Sequence, residues 1–554
     1  MMRGSRTLST LVLVVALAAI STDPEAAFAQ KRKPSPPREG VKAPAVAGFL
    51  AADAKLTAEQ LARHIDMALE KNLKAEKATI SPRCEDHEFL RRAYLDLTGK
   101  IPTAAQAQAF LDSKEPGKRA KLIDELLESK EYGRHMADIW QALMLPRNSD
   151  NRRFMQYYSF LVKWLEEQFN ANTPWDKMTR EILTATGDID KNGAGVFYLA
   201  NPTADKMTDN VTRMFLGVQL QCAQCHNHPF TDYKQDEYWG MAAFFLHVRP
   251  NGNPKAAAKN KDAKIGIVET VTPKGKGKKA GLPESAKILP PKFLSAEQPK
   301  VKGTDPVRPL LADWLTTPQN PFFARAMANR IWAQLMGRGL VNPVDDMHDA
   351  NPASHPELLV DLSKQLAANG FDLKYLFRAI CNSEAYQRST RPAGNNKDLG
   401  PELYARQQIK VLSPEQLYDS LTMVVGAPGK GAAPKNKQAA AKGGQNQRET
   451  FVSFFSAEDG ADPTEYQTGI PQVLQLMNSP RLNSSAVLNT ILPSAKTNEE
   501  AVEKLYLTTL ARRPTKEEQE RIAAFLAKTK DSRREAFAGV LWALLNSSEF
   551  ALNR

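Results

Sequence analysis

Phe89-Leu90-Arg91-Arg92-Ala93-Tyr94-Leu95-Asp96-Leu97-Thr98-Gly99 reads as a helix that a core must enclose. Residues 89, 90, 93, 94 and 97 are apolar at the spacing of one helical face, and Gly99 with Pro102 supplies the stop. The same period extends outward on both sides. Upstream, Thr57 and Gln60 form a capping-box pattern ahead of Leu61, Ile65 and Leu69. Downstream, Thr103 and Gln106 repeat the box before Phe110 and Leu111, and Leu122, Ile123, Leu126 and Leu127 mark a further helix. An aromatic-rich helix follows with Phe154, Tyr157, Tyr158, Leu161, Trp164, Leu165 and Phe169, and then Met207, Val211, Met214, Phe215 and Val218 share one face. Helical spacing resumes around 322–336, 355–366, 373–381 and 415–424, the last with Ser413, Pro414 and Gln416 as cap, first-turn proline and box partner. Further helices are expected near 473–477, 501–510, 515–527 and 533–545.

The expected fold is therefore mainly α: two helical domains, 57–250 and 297–554, joined by a Lys/Gly/Pro-rich insert at 251–296 with at most a short β-hairpin. Within that insert the alternation Ile265, Ile267, Glu269, Val271 predicts one strand, with a partner around Ile288 and Leu289. No fixed-period repeat is present. The echo among Ser129/Glu131/Tyr132, Ser383/Glu384/Tyr386 and Ser548/Glu549/Phe550 reads as a recurrent helix ending.

The chain has 554 residues, 42% hydrophobic and 25% charged, which is a globular composition. Four Cys exclude a disulfide-dense scaffold. At the N-terminus Arg3 and Arg6 precede a short apolar stretch, Leu11 to Ile20, and Ala27 and Ala29 have the form of a signal-peptidase site. Residues 1–29 read as a secretory signal, residues 30–56 as a basic, Pro-rich linker, and the mature protein as secreted or periplasmic with no transmembrane span. The net charge of +12 is concentrated in linkers: +4 in 30–44, +6 in 255–287 and +5 in 429–448, which leaves about −3 elsewhere. These stretches are poor in aromatics and read as solvated segments, 429–448 as a mobile linker. Sequence-specific nucleic-acid binding has no base-stacking platform here.

The residues that point to chemistry are Cys222-Ala223-Gln224-Cys225-His226, the C-x-x-C-H pattern of c-type haem attachment. Chance gives on the order of 4 such matches in 10,000 chains of this Cys and His content, so coincidence is a poor account. Two thiols one turn apart can add to the haem vinyl groups, and the next His can serve as the proximal iron ligand. Met207, Met214, Met241 and His247 are the candidate distal ligands. His228 is too near the proximal ligand to cross to the other haem face. Phe230, Tyr233, Tyr238, Trp239, Phe244 and Phe245 could wall a porphyrin, or simply be core. Three other readings use the same residues: zinc on Cys222, Cys225, His226 and His228 with help from elsewhere, a disulfide between the two Cys, or a reduced structural pair.

A second constellation, Asp345, Asp346, His348, Asp349 and His355, could hold a metal or act as an acid–base pair, although Ser354 and Pro356 also suit the start of a helix. Cys84 and Cys381 are the remaining Cys, and an interdomain disulfide is one expectation for them.

Two sets of residues resemble a known pairing. Arg91-Arg92-Ala93-Tyr94-Leu95-Asp96-Leu97-Thr98-Gly99, Phe215-Leu216-Gly217-Val218 and Cys222-Ala223-Gln224-Cys225-His226-Asn227-His228-Pro229-Phe230 resemble the planctomycete cytochrome-associated domain of unknown function. Asn329-Arg330-Ile331-Trp332, Gly337-Arg338-Gly339-Leu340-Val341, Asp345-Asp346, His355-Pro356-Glu357-Leu358-Leu359 and Trp542-Ala543-Leu544-Leu545-Asn546-Ser547-Ser548-Glu549-Phe550 resemble the planctomycete-specific domain that usually follows it. The resemblance implies extracytoplasmic electron transfer, because many such proteins carry a separate cytochrome c domain upstream. This chain departs from them in having one C-x-x-C-H and too short an N-terminal segment for that domain. The haem expectation thus rests on Cys222, Cys225 and His226. The leading function is electron transfer or a haem-dependent oxidoreductase step, with an unidentified redox partner or envelope polymer. The alternatives are a non-enzymatic envelope scaffold with a Cys222–Cys225 disulfide, without cofactor, and a metal-dependent hydrolase of exported polymers.

Overall fold

The structure is a computed structural model that describes residues 48–51, 54–145, 157–252, 264–270, 282–301, 305–426, 447–455, 486–529 and 532–554. The signal segment 1–29, Phe154, the helix expected at 473–477 and most of the basic stretch 429–448 lie outside these residues. The fold is mainly α-helical, with helix-rich regions on either side of the insert and, among the described residues, five short strands. Local sequence chemistry sets the helix starts as expected. Thr57 with Gln60, Thr103 with Gln106 and Ser413 with Gln416 each form a reciprocal capping box, satisfying amides that the first helical turn leaves unpaired.

Two hydrophobic cores meet at the Asp86–Thr98 helix. One draws on residues from Ala58 to Ala405 together with Leu507 and Ala511, and takes Phe89, Leu90, Ala93, Tyr94 and Leu97 from this helix. The other is built from Leu412 to Phe550 and takes Leu95, with Ile101 just beyond. A helix enclosed on all sides would normally be apolar all round, yet here Arg91, Arg92, Asp96 and Thr98 are buried as well. Each of these side chains has a hydrogen-bond partner, although Arg91 Nε itself has none among the described residues. Arg92 donates to the carbonyls of Tyr386, Arg388 and Arg554 and to Glu88. Asp96 accepts from Lys410 at 2.6 Å, Asn553 at 2.7 Å and Tyr386 at 2.9 Å. Arg91 donates to the carbonyls of Thr509 and Phe550. The short strands β4 (Lys410–Val411) and β5 (Leu552–Asn553), antiparallel to each other, carry two of the Asp96 partners.

The strand expected in the insert is present as Gly266–Glu269, but its partner differs. Val248–Asn251 (β2) and Gly187–Asp188 (β1) flank it (β3) in a three-stranded antiparallel sheet of order β1-β3-β2, while Ile288 and Leu289 are irregular. β3 is the central strand and both of its edges are taken by β1 and β2, which leaves none for residues 288–289.

The serine echo also resolves into geometry. Ser129, Ser383 and Ser547, each three residues before a buried aromatic (Tyr132, Tyr386, Phe550), donate their hydroxyls to the carbonyl three residues back. Ser129 and Ser383 each close one helix and open the next, and Ser547 opens the last helix one residue after Asn546 caps the preceding one, so the third instance centres on Ser547 rather than Ser548. Cys84 and Cys381 are both buried free thiols, contrary to the disulfide expectation. Arg92 and Arg119 guanidinium nitrogens lie 3.7 and 4.0 Å from the Cys84 sulfur. Arg448, counted with the basic linker, is anchored: it pairs with Asp138 at 2.6 Å and Asp419 at 2.7 Å.

Candidate functional site

The helix Ala204–Val211 widens into a π-turn over Thr212–Leu216, a form of helix ending that often marks functional segments. Gly217 ends it at φ 68°, where a side chain would be strained, and a Cβ there would lie 3.0 Å from the Met347 sulfur and 3.2 Å from Ala326 Cβ. The chain then enters a 3-10 turn, Gln221–Gln224. With about three residues per turn, positions i and i+3 eclipse, so Cys222 and Cys225 leave the backbone on one side. Both thiols are free and exposed.

The loop is tied down from beneath. Gln235 Nε2 donates to the carbonyls of Gln224 and Cys225, each at 3.1 Å, and the Trp239 indole donates to Gln224 O at 3.0 Å. Asn227 Oδ1 accepts from Gln235 N at 3.1 Å. On the other side Gln224 Nε2 reaches Asp205 at 3.3 Å. Tyr238 donates to Asp209 at 2.9 Å, and burial raises the Asp209 carboxyl to about 6, opposed by that hydrogen bond. Burial also raises the Tyr233 phenol to about 12. Sequence reasoning missed Gln219, Gln224 and Gln235, because a glutamine has no spacing signature of its own.

Three imidazoles lie in this region, and their hydrogen bonds separate them. His226 Nδ1 is 2.7 Å from the Asn227 carbonyl. A carbonyl only accepts, so Nδ1 carries the proton and the lone pair is on Nε2, which has no hydrogen-bond partner among the described residues. His228 is the reverse: its Nδ1 accepts from Phe230 N at 3.3 Å, which puts its proton on Nε2. Burial holds His228 below the usual imidazole range, and His348 adds to the effect. His348 Nδ1 likewise accepts from Ala350 N at 3.2 Å, which leaves Nε2 to donate towards Asp346 Oδ1 at 3.4 Å. Of the three, only His226 keeps its ring lone pair without a hydrogen-bond partner among the described residues.

The two constellations found in the sequence meet in space. Met347 N donates to Gly217 O at 2.9 Å, and Gln219 Nε2 donates to Asp345 at 3.0 Å. Asp345, Asp346 and His348 thereby border the motif loop, with Asp349 exposed beside them. His355 is separate: only 3% exposed, it packs against Tyr404 with ring centroids 5.7 Å apart, and burial lowers it to about 4. Met207, Met214 and Met241 are core side chains, as are Tyr238, Trp239, Phe244 and Phe245, whereas Phe230 is 68% exposed. His247 is half-buried, its carbonyl accepting from Thr270 N. Among the described residues no group of three His, Cys, Asp or Glu side chains is arranged to hold a metal ion.

Residues 64–250 match the family described as PSCyt2, Protein of unknown function (DUF1549). Residues 307–526 match PSD1, Protein of unknown function (DUF1553). The chain belongs to the proteins that pair these two domains. The motif loop thus lies in the first domain and the Asp345–His348 segment in the second. No curated protein and no solved structure matches the chain. No helix among the described residues is long and apolar enough to cross a membrane.

Proposed function

We propose that this is an extracytoplasmic electron-transfer protein or haem-dependent oxidoreductase, with haem c attached through Cys222 and Cys225 and ligated by His226. The observation that carries the reading is the state of His226. Its Nδ1–H is spent on the Asn227 carbonyl, which orients the ring and leaves Nε2 as the base a proximal ligand must offer. The rest of the donor set fits: two free thiols on one side of a tight turn match the need for two thioether bonds to one macrocycle. His228 and His348, whose Nδ1 atoms both accept backbone N–H groups, do not compete.

When bound, the haem would supply one-electron exchange. The chain's own part is positioning. Gln235 and Trp239 fix the carbonyls between and after the thiols, and the Asn227 carbonyl fixes the His226 tautomer. Exposure of both thiols and of Phe230 keeps this edge open to a redox partner. The same free, exposed pair also favours a second reading, a disulfide in an oxidising compartment.

Spectra of protein co-expressed with a haem-attachment system separate the two. The haem reading predicts a Soret band in the native protein, and a His226→Ala variant that keeps the attached mass while its spectrum changes. The disulfide reading predicts no visible absorbance, a mass lower by two hydrogens, and indifference to His226→Ala.

A further inference from the structure

Asp345 is more than a hundred residues from Cys222 in sequence, yet both of its carboxylate oxygens face side chains of the segment that leads to the motif. Oδ1 accepts from Gln219 Nε2 at 3.0 Å, three residues before Cys222. Oδ2 lies 3.5 Å from Arg213 Nε, within the π-turn. Between these two anchors, Met347 N donates to Gly217 O at 2.9 Å, and Met347 and Ala326 pack close over Gly217. His228 organises the far side of the loop, its own N–H donating to Tyr233 O at 2.8 Å and its Nδ1 accepting from Phe230 N. Cys222 to His226 are therefore strung between two fixed points, Gln219, held by its side chain, and His228.

We infer that Asp345 is a positioning residue of the Cys222–His226 centre, acting through Gln219, the anchor at the start of the loop, to set the orientation of His226. The inference rests on the reading of His226 as an iron ligand and extends it, since it places control of a centre in the first domain on a residue of the second. Asp345 touches no reacting atom. Its influence is of the kind outer-shell hydrogen bonds exert on a ligand, where removing the outer partner changes the properties of the centre by roughly tenfold or more.

The test uses the holoprotein and measures the midpoint potential of the centre, its absorption spectrum and the urea unfolding midpoint in the same samples. Asp345→Ala removes both contacts. Asp345→Asn keeps an acceptor for Gln219 and should fall between Asp345→Ala and wild type. Gln219→Ala breaks the same path without touching the carboxylate, and provides the reading if Asp345→Ala does not fold. Arg448→Ala is the control for lost stability, because its ion pairs with Asp138 and Asp419 have no part in this path. Expected is a roughly tenfold change in the oxidised-to-reduced ratio at fixed poise for Asp345→Ala and Gln219→Ala, which is about 59 mV for a one-electron centre. Arg448→Ala should lower the unfolding midpoint and leave the potential in place. An intact centre whose potential is the same in Asp345→Ala, Gln219→Ala and wild type overturns the inference while the function stands. A wild-type protein that acquires no haem overturns both.

Discussion

The helix at 86–98 and the loop at 219–230 each gather charged, polar and aromatic side chains in a short span, and the structure treats them in opposite ways. On the helix, Arg92 and Asp96 are 0% and 4% exposed, and their contacts run to backbone carbonyls, β4, β5 and Tyr386. In the loop, the thiols and His226 face outward, and the bonds that hold the segment run to its carbonyls and to its glutamine and asparagine side chains. Polar groups buried and satisfied together specify one packing arrangement. Reactive groups left exposed on a pinned backbone are available for chemistry. The lesson is that a dense motif marks function only where its reactive atoms are not already consumed by the fold.

The comparison is broken most readily at Asp96. Asp96→Ala strips the counter-charge from Lys410, whose ammonium burial already pushes below the usual lysine range. Denaturant unfolding should show a loss of about 3–5 kcal/mol, the size expected when one partner of a buried ion pair is removed. A loss below about 1 kcal/mol would mean that the helix is not the keystone between the two cores. Arg448→Ala comes next, at about 2 kcal/mol, since it leaves Asp138 without its bidentate partner.

A pH series sharpens the contrast between core and loop. His355 binds a proton near 4 in the fold against about 6.5 when unfolded, so the stability it contributes is complete above 6.5 and is lost as pH falls towards 4. That loss should reach about 3 kcal/mol and be absent in His355→Leu. Asp209, behind the loop, has the opposite sign. Raised to about 6, it contributes stability below about 3.8 that is lost as pH rises through 6, and Asp209→Asn should flatten that window. The smallest effect belongs to the motif itself. Cys222→Ser and Cys225→Ser should change stability by less than about 0.5 kcal/mol, because both side chains are exposed.

The helices and their caps were legible because period and capping are local: Thr57, Thr103 and Ser413 each lie within three residues of their partners. The motif was legible because its spacing is its chemistry. What could not be read is what depends on distant chain. Asp96 meets Lys410 and Asn553, more than three hundred residues away, and nothing near it in sequence forecasts a buried carboxylate. The strand at Gly266–Glu269 was legible but its partner was not, since period-2 alternation says which residues pair and not with what. The grouping of Asp345 with His355 failed for the same reason: ten residues of loop carry one to the motif and the other into the core beneath Tyr404.

The account turns on one claim, that the exposed thiols and the free Nε2 of His226 are a haem-attachment site. Intact-mass measurement under denaturing conditions, on protein made with a competent attachment system, tests it most directly. Thioether bonds survive unfolding whereas a b-type haem dissociates, so the account predicts one haem of added mass in the wild type and none in the Cys222→Ser/Cys225→Ser double variant. A wild-type chain that carries no added mass, with both thiols free or joined to each other, would contradict it.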